Sequence, residues 1–220
     1  MKDNINWSSI KTVLLDMDGT LLDLHFDNYF WQEYLPTHWG NLNNMDAESA
    51  KSQLKEWYSK EAGTLSWYCL DFWTDRLEFD VLALKSDVEH LINYRPYAES
   101  FLQALNNNPA YSVVMVTNAH EELIKMKADK TGIDIYFDKV ISSHAIGFAK
   151  EEQAFWEKLK NENYFELDST VLIDDNLTVL RAAREFGFRN LLTISKPDSQ
   201  NEKQNPEEFT AIDSFQDIIF

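Results

Sequence analysis

Short runs of apolar residues alternate with longer amphipathic stretches along this chain. The clearest runs are Thr12–Leu15, Val113–Val116, Val140–Ile141 and Val171–Ile173, and Leu191–Ile194 is a weaker fifth. They are nearly continuous and rich in β-branched residues, which is typical of parallel strands covered on both faces. The pattern therefore predicts an open parallel sheet.

The stretches between these runs have the spacing of helices. Apolar residues recur three or four positions apart in 123–126, 155–159 and 180–186, and again at Phe101 and Leu105. Strands that alternate with helices in this way predict βαβ units and an α/β fold. In such folds ligands bind outside the carboxyl ends of the strands.

The segment from about Leu24 to Asn93 is far longer than one connection between neighbouring strands requires. Its apolar residues have helical spacing, and it contains five of the seven tryptophans. We expect a helical cap at residues 24–93, inserted into a core made of residues 1–23 and 94–220. Most of the aromatic side chains in this cap are expected to pack against one another, because a thin helical core needs large side chains.

A second segment, Lys196–Glu208, contains no strongly apolar residue. It includes two prolines and is rich in polar side chains. These features predict a long surface loop.

Charge limits the partners that this protein can have. The 220 residues include 37 acidic and 20 basic side chains, which gives a formal net charge of −17. Phosphate polymers and anionic lipids would be repelled, so we expect neither a nucleic acid polymer nor a membrane as a partner. The start of the sequence lacks the apolar segment of a signal peptide, and the apolar runs are far shorter than the ~20 residues of a membrane span. We expect a cytoplasmic protein.

Cysteine, histidine and glycine positions exclude several familiar sites. The single cysteine, Cys69, permits neither an intrachain disulfide nor a zinc site made of several cysteines, and we expect it to be inert. The five histidines show no metal-ligand spacing, so packing or surface roles are expected, with His120 the nearest to the candidate site below. The six glycines are too far apart for a dinucleotide fingerprint or a P-loop.

The strongest chemical signal is the sequence Asp16-Met17-Asp18-Gly19-Thr20, directly after the first predicted strand. If extended geometry continues through it, the two carboxylates point the same way. Holding two carboxylates close together is unfavourable unless they share a cation or a proton. Mg²⁺ suits such a site, because it prefers oxygen ligands and commonly binds substrate phosphate as well.

A second acidic pair, Asp174-Asp175, ends the Val171–Ile173 run. If the two strands are parallel neighbours, the carboxyl groups of Asp16, Asp18, Asp174 and Asp175 converge at one end of the sheet. Such a cluster would repel itself strongly without a metal ion. The second pair therefore supports a magnesium site independently of the first.

Two further strands end in side chains that suit a phosphate group. Thr117 and Asn118 follow the second strand and offer a hydroxyl, an amide and backbone N–H groups. Lys150 follows the third strand after a short loop and offers a compact positive charge. Together with a carboxylate nucleophile and a metal ion, these are the parts that phosphoryl transfer requires.

The arrangement D-x-D-G-T … T-N … K … D-D resembles the haloacid dehalogenase (HAD) superfamily of phosphohydrolases, and the resemblance covers nearly the whole chain. It implies a Rossmann-like parallel sheet with the strand order 5-4-1-2-3, flanked by helices, with a helical cap after the first strand. By the same resemblance, Asp16 is the nucleophile that forms an aspartyl-phosphate. Asp18 is the general acid and then the general base, and its backbone carbonyl binds Mg²⁺.

The resemblance implies roles for the remaining motif residues as well. Thr117 and Asn118 would hold the phosphoryl group, and Lys150 would neutralise its charge. Asp175, together with Asp174, would complete the metal shell. These four strand ends would form one catalytic site.

A narrower resemblance extends into the predicted cap. The stretches LLDMDGTLLDLHFDNYFW, LSWYCLDFW, TNAH and IDDN are similar to the bacterial GMP/IMP 5′-nucleotidases of the superfamily. This similarity implies a Mg²⁺-dependent phosphomonoesterase whose partner is a small phosphorylated metabolite, a purine nucleoside 5′-monophosphate. Near the first motif, His25, Asn28 and Trp31 are the candidates for facing the substrate.

Three other functions remain open from the residues alone. A sugar-phosphate phosphatase or phosphomutase would use the same aspartyl-phosphate. A dehalogenase is disfavoured, because those enzymes are expected to lack the second acid that stands here as Asp18. A non-enzymatic phosphoaspartate signalling module is disfavoured by the order of the motifs and by the cap.

Overall fold

A parallel sheet forms the centre of the computed structural model, which describes residues 5–218. Its strands are β1 Thr12–Leu15, β2 Ser112–Thr117, β3 Lys139–Ser142, β4 Thr170–Ile173, β5 Asn190–Ile194 and β6 Thr210–Ile212. They lie in the order β3-β2-β1-β4-β5-β6, and all described pairs are parallel. The predicted α/β class and the predicted order of the first five strands are confirmed. The short edge strand β6 is an addition that the apolar pattern did not reveal.

Helices cover both faces of this sheet and form the segment after β1. The helices α1–α11 are, in chain order, His25–Tyr29, Leu35–Leu42, Ala47–Glu61, Leu65–Tyr68, Leu70–Leu77, Val81–Ser86, Ala98–Asn106, Glu121–Thr131, Ser143–Ile146, Gln153–Asn161 and Leu177–Phe186. A π-helical turn, Phe30–Tyr34, joins α1 to α2. Among the described residues, no helix is both long and apolar enough to cross a membrane.

Successive residues of a strand enter two different apolar cores. In β1, Val13 and Leu15 belong to the core that contains Phe101 of α7. Leu14, between them, belongs to the core that contains Trp156 of α10. Both faces of the sheet are therefore buried, which explains why the strands have nearly continuous apolar sequences.

All regular elements described between residues 24 and 93 are helical, and this segment is termed the cap. Its two ends are held together at the core, because the Asp23 backbone N–H donates to the Asn93 carbonyl over 2.9 Å. Leu22 and Tyr94 form an antiparallel bridge beside this hydrogen bond. The cap therefore joins the core through two adjacent chain segments next to the end of β1.

Aromatic rings make up much of the interior of the cap. Trp73 is fully buried, and its ring centroid lies 5.7 Å from Trp31, 5.3 Å from Tyr58 and 5.9 Å from Trp67. The Trp73 indole N–H donates to the Trp67 carbonyl over 2.9 Å. These contacts are the packing expected for most aromatic residues of the cap.

The segment Lys196–Glu208 contains no helix or strand, but the prediction that it is a surface loop is wrong for its first residues. Pro197 and Asp198 are buried. The Pro197 carbonyl accepts the backbone N–H of Leu24, and Asp198 accepts a hydrogen bond from the Asn28 side chain over 2.8 Å. Polar residues are buried here because they hydrogen-bond the start of the cap, a contact that hydropathy does not reveal.

Candidate active site

The D-x-D-G-T sequence leads the chain from β1 into a tight turn. The Asp16 backbone N–H still donates to the Ile173 carbonyl of β4, so the strand geometry reaches this residue. Gly19 has a φ of +78°, and a Cβ atom at this position would collide with the Asp175 carboxylate. Thr20 accepts the Asp175 backbone N–H over 3.0 Å. Glycine is therefore required both by the backbone conformation and by the close approach of the two loops.

Three of the predicted metal ligands meet where β1 and β4 end. Carboxylate oxygens of Asp16, Asp174 and Asp175 all lie within 4.8 Å of one another. Lys150 lies against this acidic cluster, with its Nζ 2.6 Å from Asp16 Oδ1 and 2.6 Å from Asp174 Oδ2. The Asp18 carboxylate is not part of this group, so its predicted metal contact would have to come from its backbone carbonyl.

The charges of the acidic cluster are only partly balanced. Lys150 supplies one positive charge to three carboxylates, which leaves two negative charges when all three are ionised. Burial raises the pKa of Asp16 to about 6, although the nearby Lys150 opposes this shift. Burial and repulsion from Asp16 and Asp174 hold the pKa of Asp175 well above its usual range. A divalent cation with oxygen ligands would relieve this repulsion, so the three residues fit Mg²⁺.

Asp18 belongs to a separate group of charges between the core and the cap. Lys127 Nζ of α8 lies 2.5 Å from Asp18 Oδ1 and 2.6 Å from Asp27 Oδ2 of the cap. Lys85 Nζ of α6 lies 2.7 Å from the other oxygen of Asp27. Both lysine side chains are buried. Two carboxylates and two ammonium groups balance one another, in contrast to the acidic cluster.

The two acids of this separate group have pKa values that are shifted in opposite directions. Burial raises the pKa of Asp18 to about 6 against the attraction of Lys127. At Asp27 burial acts in the same sense, but the charges of Lys127 and Lys85 outweigh it and lower the pKa to about 2. Asp18 is therefore able to exchange a proton near neutral pH, whereas Asp27 remains a fixed negative charge.

Lys127, Lys85 and Asp27 were not among the site residues predicted from the sequence. A signal was present, because each lysine lies four residues after a buried apolar residue of its own helix, Leu123 and Val81 respectively. A lysine on the buried face of a helix indicates a buried partner, since lysine is rarely buried unpaired. The sequence does not show which carboxylate that partner is.

The predicted phosphate-binding residues lie at the ends of β2 and β3. The Asn118 side-chain carbonyl accepts the Lys150 backbone N–H over 2.9 Å, and its amide donates to Glu151 over 2.9 Å. Thr117 Oγ1 accepts the Ala119 backbone N–H over 3.1 Å. From the cap, the Tyr68 hydroxyl donates to Glu151 over 2.7 Å. Glu151 was not predicted, and it connects the cap to the loop that carries Lys150.

A cavity of about 370 Å³ lies between the cap and the ends of the strands. The predicted residues that line it are Asp16, Asp18, Asn28, Trp31, Thr117, Asn118, Lys150, Asp174 and Asp175. His25 does not line it, contrary to expectation. Its Nδ1 lies 3.6 Å from Asp198 Oδ1, so the ring is directed toward the buried start of the 196–208 segment.

A family model described as haloacid dehalogenase-like hydrolase matches residues 10–187. The chain belongs to the haloacid dehalogenase-like hydrolases. The matched range includes the ends of β1 and β4, which carry the acidic cluster, and the phosphate-binding loops after β2 and β3. It also includes the whole cap.

Among the relatives of this haloacid dehalogenase-like hydrolase is the GMP/IMP nucleotidase YrfG of Escherichia coli (strain K12). The two sequences are 35% identical over 219 residues, which cover 100% of this chain and 98% of that protein. A HAD phosphatase from Thermococcus onnurineus has a similar structure, with a TM-score of 0.77, 19% identity and coverage of 95% and 96% of the two chains. The HAD-hydrolase YfnB from Bacillus subtilis, bound to magnesium, has a TM-score of 0.63 at 18% identity, with the same coverage. At these identities, the two comparisons show that this chain shares the fold of those proteins.

The acidic cluster of this haloacid dehalogenase-like hydrolase leads to a prediction for metal binding and pH. Carboxylates with raised pKa values keep their protons in the folded protein up to about pH 6, whereas the same groups in the unfolded chain lose theirs near pH 4. Metal-free stability should therefore fall as the pH rises from about 4 to about 6. Metal ions require deprotonated ligands, so MgCl₂ should raise Tm more at about pH 7.5 than at about pH 5.5. Thermal unfolding in EDTA and in MgCl₂ at both pH values measures this difference.

Asp175→Asn is the informative variant for that experiment. Removing one of the mutually repelling charges should stabilise the metal-free protein at about pH 7.5 and abolish most of the rise in Tm with MgCl₂. An equal rise at both pH values, or a full rise in the variant, would contradict the assignment of the acidic cluster as the metal site.

Proposed function

We propose that this chain is a Mg²⁺-dependent phosphomonoesterase that acts on a purine nucleoside 5′-monophosphate, GMP or IMP, through an aspartyl-phosphate on Asp16. The observation that carries the proposal is the different surroundings of the two acids of the D-x-D motif. Asp16 lies against Lys150 in the acidic cluster, whereas Asp18 is held by Lys127 outside it. Two neighbouring carboxylates in distinct environments support distinct roles, one as nucleophile and one as acid and base.

In the first half of the reaction, a carboxylate oxygen of Asp16 attacks phosphorus. Asp18 gives a proton to the leaving nucleoside oxygen, which its raised pKa allows near neutral pH. Lys150 and the amide groups at Asn118 offset the charge of the phosphoryl oxygens. Bound at Asp16, Asp174 and Asp175, Mg²⁺ would supply further neutralisation of that charge.

In the second half, Asp18 acts as the base. It takes a proton from the water molecule that attacks phosphorus, and the bond between phosphorus and Asp16 breaks. Phosphate leaves, Asp16 returns to a carboxylate, and Asp18 is again protonated. The two carboxylates therefore regain their starting states after each turnover.

The cap side of the cavity supports the choice of a purine nucleotide. Trp31, Tyr58 and Trp67 line it, and rings of this kind stack on nucleobases. Its volume of about 370 Å³ is within the range of small-molecule sites. The relative from Escherichia coli, which aligns over the full chain, is named for GMP and IMP.

The direct test is phosphate release from GMP, IMP and hexose phosphates, with MgCl₂ and with EDTA. We expect kcat/KM for GMP or IMP to exceed that for hexose phosphates by about tenfold or more, in line with recognition of the base. Activity should disappear in EDTA. Equal rates on nucleotides and hexose phosphates would contradict the substrate class, and activity in EDTA would contradict the metal requirement.

Trp31 leads to a prediction that separates base recognition from chemistry. Trp31→Ala should raise KM for GMP about tenfold, because stacking on an aromatic ring contributes about 1–3 kcal/mol per base. Hydrolysis of p-nitrophenyl phosphate, which carries no base, should change by less than about threefold. Trp57→Ala is the matched control, since Trp57 packs on Trp39 elsewhere in the cap. Equal effects of the two variants on KM would contradict a role for Trp31 in base binding.

A further inference from the structure

Three potential metal ligands meet beside the active site, at the contact between the cap and the core. Cys69 precedes α5 in the cap, His120 precedes α8, and His144 lies in α9. The Cys69 sulfur and one ring nitrogen of each histidine lie within 4.8 Å of one another. Their spacing along the sequence shows no metal motif, because they come from three separate segments that only the fold brings together.

Two nitrogen atoms of this Cys-His-His cluster lack a hydrogen-bond partner. His120 Nδ1 and His144 Nε2 are both buried and unpaired, and within residues 5–218 Arg95 Nε is the only other buried side-chain nitrogen or oxygen of this kind. Buried polar atoms are normally hydrogen-bonded, and leaving one unpaired costs about 1–3 kcal/mol. The two rings also contact each other, with centroids 4.9 Å apart, but that packing satisfies neither nitrogen.

Groups around the cluster resemble the outer partners of metal ligands. On the other side of the His120 ring, Nε2 lies 3.8 Å from Asp71 Oδ2. The Phe72 backbone N–H donates to the Cys69 sulfur over 3.5 Å. Metal-binding histidines commonly have a carboxylate near the second ring nitrogen, which orients the ring toward the ion.

We propose that Cys69, His120 and His144 form a second metal site, for Zn²⁺ or an ion of similar ligand preference, that joins the cap to the core. Sulfur and imidazole nitrogen are ligands that Zn²⁺ prefers, whereas the acidic cluster offers only oxygen. In a tetrahedral zinc site the ligand atoms lie roughly 3.5 Å apart, so small side-chain movements would suffice. Three protein ligands leave the fourth position for water.

A metal ion bound at this site would connect the cap to the core. His120 follows Asn118 by two residues, and Ser143, beside His144, donates a hydrogen bond to the Asn118 carbonyl over 3.3 Å. An ion bound here would tie the start of α5 in the cap to the loops that carry Asn118. The second metal would therefore hold the cap against the phosphate-binding side of the cavity.

The wild-type protein allows a direct test, because Cys69 is the only cysteine in the sequence. The rate of alkylation by iodoacetamide is measured with MgCl₂ alone and with MgCl₂ plus micromolar ZnCl₂. We expect Zn²⁺ to slow alkylation about tenfold or more, since a metal-bound thiolate is shielded from the reagent. An unchanged rate with ZnCl₂ would overturn the proposal.

Histidine variants distinguish binding at this cluster from binding elsewhere. The double variant His120→Ala/His144→Ala should lose the protection of Cys69 and should bind one Zn²⁺ fewer per chain in equilibrium dialysis with excess MgCl₂. His90→Ala removes an exposed histidine of the cap. This control should keep the protection of Cys69 by Zn²⁺ and the wild-type number of bound Zn²⁺ ions. Full protection in the double variant would overturn the proposal. These readouts need no turnover, so they are independent of the proposed phosphatase activity.

Discussion

Asp16→Asn should abolish turnover of GMP, with a fall in kcat of about a thousandfold or more, because an amide cannot act as the attacking carboxylate. Asparagine keeps the shape of the side chain, and its carbonyl can still accept a hydrogen bond from Lys150. The substitution also removes one of three repelling charges from the acidic cluster. The metal-free variant should therefore be at least as stable as the wild type, so the loss of activity would reflect chemistry and not folding.

Asp168→Asn is a matched control for this experiment. Asp168 is an exposed aspartate in the turn before β4, at the end of this strand opposite the acidic cluster. Its substitution should leave kcat and KM for GMP unchanged within about twofold, as is usual for exposed positions. An Asp16→Asn variant that kept more than about a tenth of the wild-type kcat would contradict the assignment of the nucleophile.

Lys127→Met should have the second large effect, on both stability and catalysis. Lys127 is buried and is bonded to both Asp18 and Asp27. Removing one partner of a buried charge pair typically lowers the free energy of unfolding by about 3–5 kcal/mol, because the remaining charges lose their compensation. Denaturant unfolding with and without MgCl₂ measures this loss.

The catalytic effect of Lys127→Met should depend on the leaving group. Asp18 is needed to protonate the nucleoside oxygen of GMP, whereas p-nitrophenolate leaves without a proton. A variant that misplaces Asp18 should therefore lose more kcat/KM, which covers the steps up to departure of the leaving group, with GMP than with p-nitrophenyl phosphate. A uniform loss of kcat/KM with both substrates would indicate a structural role for Lys127 and would contradict its proposed positioning of Asp18.

Lys125→Met is the control for the same helix. Lys125 pairs with Asp129 on the exposed face of α8, and both side chains are more than two-thirds exposed. Exposed pairs of this spacing contribute about 0.3–0.5 kcal/mol, so the variant should unfold almost as the wild type does. Comparable destabilisation of the Lys125 and Lys127 variants would contradict the account of the buried charges.

Much of the fold could be predicted from the pattern of apolar residues, because its strands are buried on both faces. Residues Thr12–Leu15 and Val171–Ile173 were predicted with the bounds that the structure gives or nearly so. Four carboxylates after these strands were predicted to converge. Asp16, Asp174 and Asp175 do converge, but the prediction is wrong for the Asp18 carboxylate, which pairs with Lys127 instead. Local patterns were sufficient here, since parallel neighbouring strands end at the same edge of a sheet.

The remaining features depend on contacts between distant segments, which local patterns do not contain. Lys127 meets Asp27 of the cap across 100 residues, and Glu151 meets Tyr68 across 83. His25 was expected to face the substrate because it is close to the first motif along the chain. Its ring turns instead toward Asp198, which comes from the far end of the sequence.

The cluster of Cys69, His120 and His144 illustrates the same limit for metal sites. Sequence motifs detect ligands only when they are close together along the chain, as in a helix or a short loop. Here one ligand belongs to the cap and two belong to separate strand ends. The unpaired ring nitrogens become evident only when the packing around them is known.

Phosphorylation of Asp16 can be observed directly in a variant that lacks the carboxylate of Asp18. Asp18→Asn protein is mixed with p-nitrophenyl phosphate and MgCl₂, quenched in acid, and digested for mass spectrometry. This substrate needs no proton for its leaving group, and without Asp18 as the base the aspartyl-phosphate should accumulate. A phosphoryl group on Asp16 is expected in nearly every chain. Release of p-nitrophenolate with no phosphoryl group on Asp16, or with one on a different residue, would contradict the proposed role of Asp16.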